Sequence, residues 1–282
     1  MVSSPDPSGT GFVPPPYPYD RLDEIVALAG RHDGGAVDLS IGTPCDPPPD
    51  DVIAALSAGT AARGYPPSIG TVAFRAAAAG WMTRRLGATV DPATEIAACV
   101  GSKEFVASVP TYLKLRDPSR DTVLYPAISY PTYEMGAILA RCRAVAYSTL
   151  ADIEDADAAR SLCIWVNSPA NPTGEVHDLG EAAAWGRARG VPVLSDECYA
   201  EFTWRAPPDT ILRHGAEGVL AVHSLSKRDN FAGARIGFYA GDPELVHYLR
   251  EVRKHAGLMV PGPVQAAAVA AFADDAHVDE QR

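Results

Sequence analysis

From residue 95 onward the chain alternates two kinds of segment, and this alternation limits its possible folds more than any other feature. Short apolar, β-branched runs occupy 95–100, 122–125, 143–147, 161–166, 191–194, 218–223 and 235–239, and helix-compatible stretches separate most of them. Strands joined through helices cannot pair as simple hairpins. The connections must cross over, which makes the sheet largely parallel and covers both of its faces with helices. The class expected is therefore α/β, a three-layer α/β/α domain around a mostly parallel seven-stranded sheet. Ligands of such sheets bind outside the carboxyl ends of the strands. The residues that follow each run are the ones to read for function.

Upstream of the alternation, Pro5, Pro7, Pro14, Pro15, Pro16 and Pro18 make 1–19 an irregular or extended arm, because each X-Pro pair disfavours helix. Asp20 is expected to cap a helix over 21–29 that Gly30 ends. The apolar 37–41 leads into a turn-rich 42–49, and helices are expected over 51–58 and 71–86. Past the final strand run, 243–255 and 263–273 read as helices. No internal repeat is visible.

Charge narrows the partners. Asp and Glu number 35 against 24 Lys and Arg, a net charge of −11, and affinity for a phosphate backbone comes from clustered cations. Nucleic acid is not the expected partner. No apolar stretch is long enough to span a bilayer, and no apolar leader precedes Arg21. Cys45, Cys99, Cys142, Cys163 and Cys198 are odd in number, form no C-x-x-C and sit mostly in apolar runs. They read as free thiols of a reducing cytosol, so the chain is expected to be soluble and cytoplasmic. The histidines show no metal-ligand spacing, and no metal is expected.

At the strand ends, 95–100 is followed by Gly101-Ser102-Lys103-Glu104, a glycine turn opening a helix where free N–H groups favour an anion. Tyr130 follows 122–125. An amide-rich turn, Asn167 to Gly174 with Asn171 inside it, follows 161–166. The carboxylate of Asp196 and then Tyr199 follow 191–194; Ser224 and Lys227 follow 218–223, with Arg235 eight residues beyond the lysine. Each has a plain structural explanation by itself: a helix cap, a core ring, a turn, a solvated lysine. One ligand needs them together. A phosphorylated pyridine aldehyde calls for an amine, an acid for its ring nitrogen, neutral donors for its phenolate, an aromatic face, and hydroxyl, guanidinium and N–H donors for its phosphate.

The motifs Asn171-Pro172-Thr173-Gly174, Ser195-Asp196-Glu197-x-Tyr199 and Ser224-x-Ser226-Lys227 with Arg235 resemble those of pyridoxal-phosphate aminotransferases of fold type I. The likeness runs from about residue 37 to the end and is greatest to bacterial succinyldiaminopimelate aminotransferases, through softer similarity at 101–106 and 130–136. It implies that Lys227 forms the Schiff base with pyridoxal 5′-phosphate and shuttles the substrate proton. By the same resemblance Asp196 pairs with the pyridinium nitrogen, Asn171 and Tyr199 donate to the phenolate, and Tyr130 stacks on the ring. Ser102, Lys103, Ser224 and Arg235 hold the phosphate. Tyr65 matches the position that reaches the neighbouring subunit's phosphate, which implies a homodimer with shared sites. Gly42, with Asn171, lies at the substrate position.

Residues 1–40 correspond to the arm and the first part of a small α+β domain, and 41–282 to the cofactor-binding domain with the start of a connecting helix. No residue matches the family's carboxylate-gripping arginine, which the resemblance places in a further part of the small domain; the expectation is a C-terminally truncated sequence. The implied reaction is amino transfer between glutamate and a keto acid, N-succinyl-2-amino-6-oxopimelate. Aspartate, alanine or aromatic aminotransferases and C–S β-lyases share the motifs. A transcription regulator with such a domain needs a basic helix-turn-helix ahead of it, which 1–36 is too short and proline-rich to supply. A non-catalytic remnant is opposed by the intact Lys227, Asp196 and Arg235.

Overall fold

The computed structural model describes residues 12–282, so the arm expected over 1–19 lies partly outside the described residues. The chain divides into two compact units, Met1–Thr43 and Pro44–Arg282. In the first, a 3-10 turn, Pro18–Leu22, runs into helix α1 (Asp23–Ala29). Asp20 lies inside the turn and caps nothing. Pro18 starts the turn because its ring fixes φ at a helical value and its missing N–H is not needed there.

The second unit contains a single sheet of seven strands: β1 (Ile96–Cys99), β2 (Thr122–Pro126), β3 (Arg143–Tyr147), β4 (Ser161–Asn167), β5 (Val193–Asp196), β6 (Val219–Ser224) and β7 (Gly237–Gly241). Their spatial order is β1-β7-β6-β5-β4-β2-β3. Neighbours pair in parallel except at β7, which runs antiparallel to both β1 and β6. The expected α/β class and largely parallel sheet are thus present. β5 starts two residues later than its apolar run because Pro192 has no N–H to give the ladder; its carbonyl still accepts from Ile164 N at 3.0 Å. β7 starts later than Arg235, whose left-handed backbone, φ 57°, ends the preceding turn.

Helices α2 (Asp50–Ser57) and α3 (Val72–Trp81) precede the sheet. Thr71 caps α3 by accepting from Phe74 N at 3.1 Å, and a wider π turn, Met82–Leu86, completes the run expected over 71–86. α4 (Ser102–Arg116), α5 (Thr132–Leu139), α6 (Asp155–Ala159) and α7 (Leu179–Arg189) join the parallel strands, and α8 (Leu225–Arg228) is one turn between β6 and β7. α9 (Pro243–His255), α10 (Gly262–Ala273) and α11 (Ala276–Gln281) follow. Strand residues alternate between the layers. Cys163, Trp165, Leu220, Val222 and Tyr239 pack with Phe105 and Val109 of α4 and Leu249 of α9. Ile164, Val166, Val219 and Ala221 face the other way, toward Ala183 and Trp185 of α7. Beside them, Phe238 and Ala240 meet Phe74 of α3 and Phe272 of α10.

α11 was not legible as a helix: it has six residues and one buried side chain, Val278. Charges hold it. Arg85 donates to Asp279 at 2.6 and 3.0 Å and to Glu201 Oε1 at 2.5 Å, while Arg228 donates to Glu201 Oε2, Asp229 and Asp275 at 2.6, 2.6 and 3.0 Å. Asp229 is fully buried with one oxygen unpartnered, and burial pushes its carboxyl up to about 7 despite Arg228. The folded chain therefore keeps a proton that the unfolded chain, with a carboxyl near ~3.9, has already released. Stability from this group falls as pH rises from about 4 to 7. Asp229→Asn is expected to remove that decline, on the order of 4 kcal/mol over the window. Urea unfolding of both proteins across the window checks it: parallel pH dependences refute it.

Candidate active site

The carboxyl ends of β4, β5 and β6 supply the site. Lys227 stands in α8, launched from Ser224 at the end of β6. The Ser224 Oγ accepts from Ser226 N at 3.1 Å and donates to Ser226 Oγ at 2.8 Å, so the cap fixes where the turn begins. Of the four lysines, Lys254 pairs with Glu251 in solvent, Lys103 is exposed, and Lys114 donates to the carbonyls of Pro118 and Arg120. Burial lowers the basicity of Lys227, with the nearby Cys198 opposing. A less basic amine carries a larger neutral, nucleophilic fraction.

Asp196 ends β5 and is buried. Tyr133 OH donates to its Oδ2 at 2.8 Å and Cys198 N to its Oδ1 at 3.2 Å. Loss of solvent still raises its pKa above the ordinary carboxyl value, because these donors carry no charge. Asn167, at the end of β4, donates to Asp196 O at 2.8 Å and accepts from Asn171 N at 2.7 Å. That clamp fixes the turn bearing Asn171, whose Nδ2 donates to Tyr199 OH at 3.3 Å. Tyr130 meets Tyr133 edge-on with ring centroids 6.0 Å apart, which places it beside the Asp196 partner.

The opposite end of the site is built on a glycine. Gly101 precedes α4 with φ +77°, and a Cβ there would fall 2.2 Å from Arg235 Nη2 and 2.8 Å from its Cζ. The Arg235 guanidinium therefore lies directly against the first turn of α4, beside the backbone of Ser102 and Lys103 at the helix's positive dipole end. Cys198 lies between the two ends, its backbone N–H on Asp196 Oδ1 at 3.2 Å and its thiol close to both Asp196 and Ser102. Turns that begin at residues 101 and 232, far apart in the chain, thus meet around one small volume.

This donor set fits pyridoxal phosphate. The Gly101–Arg235 cradle presents a guanidinium and helix N–H groups to a dianion, and Asp196 is a buried carboxylate with neutral partners, which a protonated ring nitrogen would complete. Gly101→Ala is expected to weaken cofactor binding about tenfold or more, from the left-handed backbone and the displaced guanidinium. Titration of apoprotein with pyridoxal phosphate, followed by absorbance, checks this; unchanged affinity refutes it. Tyr65, in the unit holding the site, is 98% exposed, and Gly42 belongs to the first unit. Among the described residues, no group of His, Cys, Asp and Glu could hold a metal ion, and no helix is long and apolar enough to cross a membrane.

Sequence reasoning missed Tyr133, Asn167 and Cys198. Tyr133 carried a signal, three residues after Tyr130 and so on the same side of α5. Cys198 was taken as one buried thiol among five, and nothing in its spacing places it between the two ends of the site.

The model of the family "Aminotransferase class I and II" matches residues 35–282. The chain is 45% identical to the 4-dedimethylamino-4-oxo-anhydrotetracycline transaminase OxyQ of Streptomyces rimosus, over 95% of this chain and 75% of the relative. It is 43% identical to the probable aminotransferase Rv1178 of Mycobacterium tuberculosis, over 100% of this chain and 68% of the relative. The solved structure of N-succinyldiaminopimelate aminotransferase from Mycobacterium tuberculosis superposes with a TM-score of 0.78 at 29% identity, covering 92% of this chain and 71% of that one. The chain belongs to the class I and II aminotransferases, enzymes that use pyridoxal phosphate to transfer amino groups.

Proposed function

We propose that the chain moves an amino group from glutamate to N-succinyl-2-amino-6-oxopimelate, in the diaminopimelate and lysine branch, with Lys227 as the cofactor-bonding residue. The observation that carries the chemistry is the partly desolvated Lys227 amine near Cys198, two residues past the buried Asp196 carboxylate, at the ends of neighbouring strands. The acceptor rests on likeness to the mycobacterial N-succinyldiaminopimelate aminotransferase. A second reading, amino transfer to a polycyclic ketone, is favoured by the 45% identity to the OxyQ transaminase. Purified protein with glutamate and each ketone, followed by 2-oxoglutarate release, separates them.

Pyridoxal phosphate, when bound, supplies an electron sink for the carbanion left when the substrate Cα loses its proton. The chain's residues do the rest. Lys227 Nζ, a base of lowered pKa, would take the substrate Cα proton and return it one carbon away. Asp196 keeps a proton on the ring nitrogen, and Tyr133 and Cys198 hold its oxygens in position. Asn171 Nδ2 and Tyr199 OH, already in contact, would donate to the phenolate oxygen. Tyr130 covers the ring face, while Ser102, Lys103, Ser224 and Arg235 hold the phosphate.

Exposure of the Tyr65 ring supports its contact with a second subunit, and so a homodimer with shared sites. Five free thiols support a reducing, cytoplasmic setting.

A further inference from the structure

We propose that Arg228 is the positioning residue of Lys227, holding the lysine turn against both the Tyr199 loop and α11. This rests on the reading of Lys227 as the cofactor-bonding amine. The need for such a residue is physical. α8 is a single turn of four residues, and a single turn fixes many dihedrals for few hydrogen bonds, so it cannot hold its own geometry. Whatever grips it from outside sets where the amine stands.

Arg228 is 3% exposed, and its five N–H groups are engaged. Nε donates to Glu201 Oε2 at 2.6 Å, Nη1 to Asp229 Oδ1 and Ala271 O at 2.6 and 2.9 Å, and Nη2 to Asp275 Oδ1 and Asp274 O at 3.0 and 3.5 Å. Its flat guanidinium lies over the rings of Trp81 and Phe272, with Cζ 5.5 and 5.7 Å from their centroids. A lysine has three donors on a point charge and cannot reproduce this planar fork.

The partners define what is coupled. Glu201 follows Tyr199 by two residues, so the Arg228–Glu201 pair sets the distance between the lysine turn and the loop that carries a phenolate donor. Glu201 also accepts from Arg85, which holds Asp279 of α11. Gln281 of α11 closes the circuit from the other side, donating through Nε2 to the Arg228 carbonyl. The turn that bears Lys227 is thus gripped by side chain and backbone, and α11 is a latch on the amine's position. Displacements of about 1 Å at such a centre cost on the order of 100-fold in rate.

The test uses two proteins besides the wild type. Gln281→Ala combined with Asp275→Asn opens the latch at partly exposed positions, leaving the Arg228–Glu201 pair intact; Arg228→Lys keeps the charge and loses the fork. Each is titrated with pyridoxal phosphate, its bound absorption is followed against pH, and its thermal unfolding is measured without cofactor. Positioning predicts roughly tenfold weaker cofactor uptake and an absorption midpoint moved by about half a pH unit or more, with unfolding of the latch double variant within a few degrees of wild type. An unmoved absorption midpoint and affinity in both variants overturns the proposal, as does a loss of affinity that only follows loss of fold. Borohydride labelling of the wild type separates the premise: a label found on a residue other than Lys227 overturns the site reading and this proposal together, and a label on Lys227 with unmoved variants overturns the latch alone.

Discussion

Lys227→Ala is expected to lose covalent capture of pyridoxal phosphate and to fall in transaminase rate by about 10⁴-fold or more, the upper range for a positioned proton-transfer group. That is about 5.4 kcal/mol of barrier at 1.36 kcal/mol per tenfold. The size follows from the double duty placed on one amine, bonding the cofactor and carrying the proton. The other lysines cannot take over: Lys103 is exposed, Lys114 is tied to two carbonyls, and Lys254 pairs with Glu251 in solvent. The side chain is half-buried at a single helical turn, so the truncation should leave the fold in place. Borohydride treatment followed by mass measurement reads the result directly. Wild type should gain the cofactor mass on the peptide holding Lys227 and the variant should gain none. A labelled, active variant would refute the assignment of the amine.

Asp196→Asn should be the next largest effect, roughly 10³-fold in kcat, in line with losing one preorganised charge in a buried site. The variant keeps the shape of the side chain, and its one oxygen can still accept from either Tyr133 OH or Cys198 N, so cofactor should bind. What disappears is the negative charge that holds a proton on the ring nitrogen. Burial raises the Asp196 pKa in the chain alone, and a cation at the ring nitrogen lowers it again. Cofactor binding by the wild type should therefore release the Asp196 proton, the more so as pH falls toward the carboxyl range, and that pH dependence should vanish in Asp196→Asn. Rates at saturating substrate, with cofactor affinity measured across pH, check both halves. A variant of wild-type kcat would remove Asp196 from the chemistry.

Much of this site could be read from the sequence because strand ends are local events. The runs that became β1 to β7 are short and β-branched, and the residue after an apolar strand in a parallel sheet is placed by the strand itself. The candidates Asp196, Ser224, Lys227 and Asn171 stand at or just past such strand ends. Boundaries slipped where one residue's backbone chemistry intervened, at Pro192, which cannot donate, and at Arg235, whose φ is positive. Asp20 illustrates the reverse error: a good capping residue was overruled by Pro18, two residues earlier, which starts the turn first.

By itself, then, the amino-acid order determined the α/β class, the strand ends and the chemical types gathered there, because period, turn residues and β-propensity act over a few neighbouring positions. Only the tertiary structure decided that β7 would run antiparallel between β1 and β6, and so bring Arg235 against Gly101. It alone made Tyr133 the partner of Asp196, put Cys198 between the two ends of the site, and gave a six-residue α11 enough ion pairs to persist. These depend on which groups lose water together. Desolvation and charge pairing are properties of a packed volume, and no window of sequence contains them.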